Sequence, residues 1–155
     1  MIAADLAAFA AALPHGGRLL GLDLGTKTIG LALADAGWSF ATPYETLART
    51  RLTADLARLQ AIVTAQQIAG IVLGMPVNMD GTRGPRAQAT RAFARDLARA
   101  LPLPLLFQDE RLSTAEATRA MIAHDMSRAK RAARIDSHAA AIILQAALDA
   151  LAHAR

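Results

Sequence analysis

The sequence predicts an α/β domain in which a mixed β-sheet carries helices on its faces. Two apolar runs, residues 18–24 and 29–33, flank a short turn and predict an antiparallel hairpin. After the hairpin, helical and strand patterns alternate, which is typical of parallel strands joined by helices. A chain of 155 residues fits one domain, because a core of that size already buries about two thirds of the unfolded chain's surface.

The composition predicts a globular protein without disulfides. Hydrophobic residues make up 54% of the sequence and charged residues 19%, so apolar burial can offset the entropy lost on chain ordering. The sequence has no cysteine, which excludes disulfides, thiolate metal sites and a cysteine nucleophile. We find neither a secretory signal nor an apolar run of about 18 residues, and therefore expect a cytoplasmic protein without membrane partners.

The first elements are a short helix and three strands. Residues 1–17 read as a helical extension that ends at Pro14, and residues 18–155 as the main domain. The hairpin turn is predicted at Gly25–Thr28, between its two strands. A third strand is expected between Trp38 and Leu47, interrupted or bounded by Pro43.

The later elements alternate between helices and strands. They are a helix over 51–67, a strand over 70–74, a loop over 78–84, a helix over 85–100, a strand over 105–107 and a helix from about 132 to 153. Ser113 and Glu116 fit a capping box, which predicts a further helix start after Leu112.

Asp23 is the first candidate functional residue because it interrupts an apolar strand. A charged carboxylate in a buried strand is costly unless a cation or strong donors lie nearby. Gly25, two residues later, allows a backbone or a phosphate to approach closely. The alternative is that Asp23 only caps the following turn.

Asp109 and Glu110 form the second candidate site, where a predicted strand runs out. Strand ends commonly build active sites in sheets of this kind. Adjacent strand residues face opposite sides, so only one of these two carboxylates can face the same place as Asp23. The alternative for this segment is a surface ion pair with Arg111.

Asp136 is the third candidate, at the head of an apolar stripe on the last helix. The residues at helical spacing after it are small or apolar: Ala140, Ile143 and Ala147. A carboxylate on a packing face requires a specific role, although a residue near a helix N-terminus can also simply complement the helix dipole.

Three separated carboxylates can converge on hard cations such as Mg²⁺ or Mn²⁺, which prefer oxygen ligands. Two ions about 4 Å apart would activate water and stabilise the leaving oxygen of a phosphodiester. The net charge of +4 suits a nucleic-acid partner, although genomic composition bias is an alternative explanation for the many arginines. The sequence therefore predicts a metal-dependent nuclease.

Substrate contacts are expected from polar and cationic residues near these carboxylates. They are Thr26, Lys27, Asn78, Arg83, Arg111, Arg128, Lys130, Arg131 and Arg134. The last four lie in a segment, 127–134, that we expect to be flexible, and Asp80-Gly81 offers a plain turn as the alternative for the loop. Arg91, Arg95 and Arg99 are interpreted as a solvated helix face. Aromatic residues are only 4% of the chain, which argues against a base-stacking platform.

Four segments resemble, in order, the motif blocks of the YqgF/RuvX family, described as Holliday junction resolvases and as nucleases maturing the 5′ end of pre-16S ribosomal RNA. The segments are GLDLGTKTIGLALAD, IVLGMPVNMDGTRG, FQDERLSTAEA and IDSHAAAIILQ. The resemblance covers nearly all of residues 21–148. One departure is His138, where the family often has an apolar residue; we interpret it as a solvated helix position, and contact with metal or substrate is the alternative.

The resemblance implies an RNase H-like fold with a central mixed five-stranded sheet flanked by helices. It also implies a metal-dependent endonuclease with Asp23, Glu110 and Asp136 as catalytic metal ligands, which favours Glu110 over Asp109. Maturation of pre-16S rRNA is the favoured role, and resolution of four-way DNA junctions is the alternative. Symmetric junction cleavage needs two active sites, so a homodimer is compatible with that role.

Two other classes of protein compete with a nuclease. The segment DLGTKTIG is also similar to the phosphate-binding hairpin of actin-like and sugar-kinase ATPases, but the chain lacks a second Asp-x-Gly-Thr block and the length for another such domain. A non-catalytic nucleic-acid-binding module is the other alternative. Retention of all three carboxylates argues against it.

Overall fold

The computed structural model describes residues 1–14, 16–76, 84–109 and 128–154, with residues 128–136 and 154 described as backbone only. In chain order the elements of these residues are α1 (Leu6–Ala12), β1 (Arg18–Leu24), β2 (Thr28–Ala34), β3 (Ala41–Ala48), α2 (Leu52–Gln66), β4 (Ile68–Met75), α3 (Pro85–Ala100), β5 (Leu105–Asp109) and α4 (Arg128–Ala154).

The strands form one five-stranded mixed sheet in the order β3-β2-β1-β4-β5. β1 and β2 pair antiparallel, as do β2 and β3. β4 lies parallel to both β1 and β5. The predicted fold class is confirmed, and β1, β3, β4 and β5 all end at the same side of the sheet, which we call the C-terminal edge.

Each face of the sheet carries its own hydrophobic core. Leu20, Leu22 and Leu24 of β1 pack on one face with α2 and α3. Leu19 packs on the other face, beneath α4. Since side chains alternate along a strand, the odd-numbered residues of β1 face α4. Every residue of β4 is buried, as expected for a central strand covered on both faces.

The N-terminal residues belong to the same packed unit. Ile2 forms a parallel bridge to Leu105 on the outer side of β5. Phe9 of α1 is fully buried in the core beneath α4. Asp5 caps α1 by accepting a hydrogen bond from the N–H of Ala8 at 2.8 Å. Among the described residues, no helix is long and apolar enough to cross a membrane.

Several element bounds differ from the sequence prediction, and β4 begins at Ile68, two residues before its predicted start at Gly70. β5 extends to Asp109, two residues beyond the predicted end at Phe107. α4 begins at Arg128, so the expected flexible segment over 127–134 is wrong for residues 128–134. The alanine- and arginine-rich sequence there has high helix propensity, which extends the helix backwards. The helix start predicted at Ser113–Glu116 lies outside the described residues.

Pro43 lies within β3, which occupies an edge of the sheet. An edge strand tolerates proline because one of its sides has no partner strand. The pairing register between β2 and β3 shifts between Leu31 and Ala32, and Ala32 pairs with Pro43. The third strand is thereby confirmed, although it begins later than Trp38.

Candidate active site

Asp23 is half-buried near the end of β1 and belongs to the face covered by α4. Its partner in β2 is Gly30. On the β4 side, Leu22 pairs with Leu73, so the next residue along, Gly74, lies beside Asp23. The residue beside Asp23 is a glycine in both adjacent strands, so neither strand places a side chain next to the Asp23 carboxylate. That arrangement leaves room for cations or phosphate oxygens beside it.

Helix α4 crosses β1 at Gly21. A Cβ atom added to Gly21 would lie 2.8 Å from the Leu144 Cβ and 3.0 Å from the Ala140 carbonyl oxygen. Further toward the C-terminus of α4, the Gln145 side chain accepts a hydrogen bond from the N–H of Ala41. Ala41 begins β3, so it lies at the edge of the sheet opposite the C-terminal edge. The N-terminal turns of α4 therefore extend toward the C-terminal edge.

This direction places the backbone of Asp136, about one helical turn before Ala140, on the side of the sheet where Asp23 lies. The predicted apolar stripe is confirmed, since Ala140, Ile143 and Ala147 are buried beneath the helix. Because α4 begins at Arg128, Asp136 is not in the first turn, and the interpretation that it only complements the helix dipole is wrong.

Asp109 faces away from Asp23. It alternates with Leu105 and Phe107, which pack on the side of α2 and α3, whereas Leu106 packs beneath α4. Strand alternation therefore leaves Asp109 on the opposite face of the sheet. This geometry removes Asp109 from the carboxylates that can join Asp23.

The β1–β2 turn carries Thr26 and Lys27 just beyond Asp23, as predicted, and both side chains are exposed. The N–H of Gly25 donates to the carbonyl of Thr28 at 2.8 Å and closes the turn. A Cβ atom on Gly25 would lie 3.1 Å from that same carbonyl oxygen, so the close approach favours glycine.

Arg49 and Arg86 donate hydrogen bonds that fix this turn. Neither residue was predicted from the sequence. Nη1 of Arg49 donates to the Gly25 carbonyl at 2.8 Å, and Nη2 of Arg86 donates to the Leu24 carbonyl at 3.2 Å. Arg49 follows β3 and Arg86 lies in the first turn of α3, and the Arg49 guanidinium carbon lies 5.9 Å from the centre of the Phe93 ring in the same helix. The sequence signal was weak, namely an arginine just after a strand and another just after a helix start.

Asp55 fixes the connection between β3 and α2. Its carboxylate is buried and accepts hydrogen bonds from the Thr50 hydroxyl at 2.7 Å, the Thr50 N–H at 3.1 Å and Arg58 at 2.6 Å. Burial raises the pKa of Asp55, but the hydrogen bonds from Thr50 and Arg58 outweigh it, so the pKa lies below its ordinary value. The ionised carboxylate thus anchors the residue that follows Arg49.

The arginines of α3 differ from one another. Arg95 and Arg99 are exposed, as predicted for a solvated face. The prediction is wrong for Arg91, which is half-buried with its guanidinium carbon 5.8 Å from the centre of the Phe107 ring. Stacking on an aromatic ring is a favourable position for guanidinium. His138, expected to be solvated, is half-buried in α4.

The remaining predicted site residues divide into two groups. Asn78, Arg83, Glu110 and Arg111 lie outside the described residues. Arg128, Lys130, Arg131, Arg134 and Asp136 lie in α4, where the structure describes the backbone alone. Within the described part of the chain, no three histidine or carboxylate side chains group as a metal site. Of the predicted trio, only the side chain of Asp23 is described.

Residues 17–150 match a family model described as "RuvX: Holliday junction resolvase". A Sphingopyxis alaskensis protein named "Putative pre-16S rRNA nuclease" is 65% identical over 143 residues, which is 92% of this chain and 93% of that protein. A Rhodobacter capsulatus protein of the same name is 58% identical over 153 residues, 99% of this chain and 96% of that protein.

The fold is similar to that of T. thermophilus RuvC in complex with a Holliday junction substrate. The TM-score is 0.54 at 15% identity, over 86% of this chain and 94% of that one. At this level of identity the similarity concerns the fold alone.

Proposed function

The chain belongs to the RuvX family of nucleases, and we propose that it uses divalent metal ions to hydrolyse a structured RNA, in maturation of the 5′ end of pre-16S rRNA. The observation that carries the proposal is the position of Asp23 on the α4 face at the C-terminal edge, flanked by Gly30 and Gly74. A half-buried carboxylate with no side chain beside it in either adjacent strand suits cation binding.

The proposed metal ligands are Asp23, Glu110 and Asp136. Their chemistry fits the group, since carboxylate oxygens are the donors that Mg²⁺ and Mn²⁺ prefer. Two observations support this choice: Asp109 lies on the wrong face, and the backbone of Asp136 lies toward the Asp23 edge. Two bound ions would activate the attacking water and stabilise the leaving oxygen.

The chain's own residues orient the substrate. We propose that Lys27 and Thr26, exposed in the β1–β2 turn, contact the phosphate next to Asp23, and that Arg49 and Arg86 fix that turn. Further contacts are proposed from Asn78, Arg83 and Arg111. Four cations in the first two turns of α4 complete the proposed surface: Arg128, Lys130, Arg131 and Arg134.

Pre-16S rRNA is preferred as substrate because relatives 58% and 65% identical carry that name. Resolution of a four-way DNA junction is the second candidate, on the description of the matching family. That activity needs two active sites, so it requires a homodimer. The RNA role fits a cytoplasmic location, where ribosome precursors are processed in bacteria.

A cleavage assay with both substrates tests the proposal. Wild-type protein with Mg²⁺ or Mn²⁺ is expected to shorten a pre-16S RNA, and EDTA or Asp23→Asn to abolish cleavage while RNA binding persists. Asp109→Asn is the matched control, because it removes a nearby carboxylate on the opposite face of the sheet. Cleavage of a four-way junction alone would favour the second candidate. RNA binding without cleavage of either substrate would indicate a non-catalytic module.

A further inference from the structure

We infer that a cavity at the outer edge of β5 binds one unpaired nucleobase of the substrate, next to the cleaved phosphate; this inference rests on the proposed function. The cavity has a volume of about 520 Å³, within the range of pockets that hold small ligands. Its polar lining includes Asp5, Arg91 and Gln108, and its apolar lining includes Met75 and Phe107. We call it the β5-edge cavity.

The β5-edge cavity lies close to Asp23. Gln108 pairs with Gly74, and Gly74 lies beside Asp23, so the three residues form a row across the sheet near the C-terminal edge. Gln108 and Leu106 alternate onto the α4 face, which is also the face of Asp23. With strands about 4.8 Å apart, Gln108 is about 10 Å from Asp23 across the sheet. A nucleotide adjoining the cleaved phosphate can span that distance.

The cavity offers polar side chains that have no hydrogen-bond partner in the part of the chain that the structure describes. Arg91 and Gln108 are both half-buried, yet among the described residues neither side chain makes a hydrogen bond or an ion pair. The guanidinium of Arg91 is backed by the Phe107 ring at 5.8 Å, on the α2–α3 face of β5, so the cavity extends around the strand edge from that face to Gln108 on the Asp23 face. Unpaired RNA bases stack on such guanidinium planes and bind amides through their polar edges.

The strand edge adds a main-chain donor and acceptor. The N–H and carbonyl of Leu105 bond to Met1 and Ala3 at 2.9 and 2.7 Å, after which the N-terminal segment turns into α1. Because strand residues repeat every two positions, the N–H and carbonyl of Phe107 point the same way, toward the cavity. No described residue pairs with them. This pattern of one donor and one acceptor suits the edge of a base.

The charge balance favours a base over a phosphate. Asp5 lines the same cavity as Arg91, so one negative and one positive side chain of the described residues face it. A phosphate would meet the Asp5 carboxylate, whereas a neutral base is not repelled. Since a paired base cannot leave its stack without cost, the cavity selects RNA that is single-stranded beside the cut.

Removal of single bases tests this site. The substrate is an RNA hairpin with a single-stranded 5′ extension, in which one nucleotide at a time is made abasic. Affinity is measured by fluorescence anisotropy in EDTA, so that no cleavage is needed. We expect one abasic position near the cleavage site to weaken wild-type binding about tenfold, and the double variant Arg91→Met/Gln108→Ala to bind intact RNA about tenfold more weakly.

The decisive readout is coupling between base and cavity. In the double variant, the abasic position should carry no further penalty, because the base has lost its site. Arg95→Met and Gln88→Ala are matched controls, since both residues are exposed on the same helix and outside the cavity. Thermal melting checks that each variant folds.

A penalty that persists unchanged in the double variant, or a wild type indifferent to every abasic position, would overturn the inference. If wild-type protein binds more weakly at one abasic position but does not cleave the RNA in Mg²⁺, that result would count against the proposed nuclease activity and not against the cavity.

Discussion

Nη1 of Arg49 donates a hydrogen bond to the Gly25 carbonyl at 2.8 Å, which ties the end of β3 to the turn beside Asp23. The N–H of the same residue donates to the carbonyl of Lys27, also at 2.8 Å. Two bonds from one residue thus fix both ends of the segment that carries Lys27. This tie makes Arg49 a positioning residue for the candidate site.

Replacement of Arg49 by methionine should lower kcat by about ten- to a hundredfold with little change in KM. The turn loses the hydrogen bond to the Gly25 carbonyl, whereas the Lys27 side chain remains. Arg49→Lys should restore part of the rate, since one amine donor can still reach the Gly25 carbonyl. Steady-state cleavage kinetics measure the split. Arg51→Met, an exposed position nearby, is the control. A change in KM alone would indicate direct substrate contact instead.

Asp109, the last residue of β5, and Glu110, the next residue in the sequence, should behave differently when substituted. Glu110→Gln is expected to reduce cleavage by about a hundredfold or more if it removes a metal ligand. Asp109→Asn should leave the rate within about twofold, because Asp109 faces the opposite side of the sheet. Cleavage rates at saturating Mg²⁺ compare them. Equal losses in the two variants would contradict the proposed ligand set.

Gly21→Ala should displace helix α4, because the added Cβ would lie 2.8 Å from the Leu144 Cβ. We expect a loss of about 1–3 kcal/mol in the free energy of unfolding, together with reduced cleavage per folded molecule. Gly70→Ala is the matched control, since its Cβ would meet Leu13 at 2.6 Å, beside α1. Urea unfolding and active-fraction assays should show that Gly70→Ala lowers stability while cleavage per folded molecule stays normal.

Asp55 should make stability depend on acid pH. Its pKa in the folded protein lies below the unfolded value of 3.8, so the stabilisation is fully present above that pH and is lost as pH falls through the folded pKa. The free energy of unfolding, measured from pH 7 to pH 2, should be higher for wild type than for Asp55→Asn at neutral pH, and this difference should disappear in the acid range. At pH 7 the variant should be less stable by about 1–3 kcal/mol. A constant difference across the range would refute this role.

Much of the fold could be predicted because hydrophobic periodicity is a local property of the chain. The β1–β2 hairpin, helices α2 and α3 and the buried strand β4 follow from the spacing of apolar residues. Element ends were less predictable, since β5 continues to Asp109 and α4 starts at Arg128. Those boundaries depend on packing and on helix propensity beyond the apolar pattern.

The site was predictable only in part. Asp23 stood out because a carboxylate within an apolar strand requires a partner, Asp136 because it heads an apolar helix stripe, and the motif resemblance favoured Glu110 over Asp109. Arg49 and Arg86 could not be found, because the carbonyls they bind lie 24 and 62 residues away along the chain. Arg91 was misinterpreted for the same reason, since its contact with Phe107 joins α3 to a different element.

The sequence by itself determined the order of the described strands and helices along the chain, the family resemblance and which carboxylates are candidates for the site, because each is encoded in residue types at short spacing. Only the tertiary structure decided that Gly30 and Gly74 flank Asp23, that Asp109 faces away from it, and that Arg91 and Gln108 share a cavity. These relations arise from strand register and helix packing, which join residues distant in the chain and so leave little trace in local pattern.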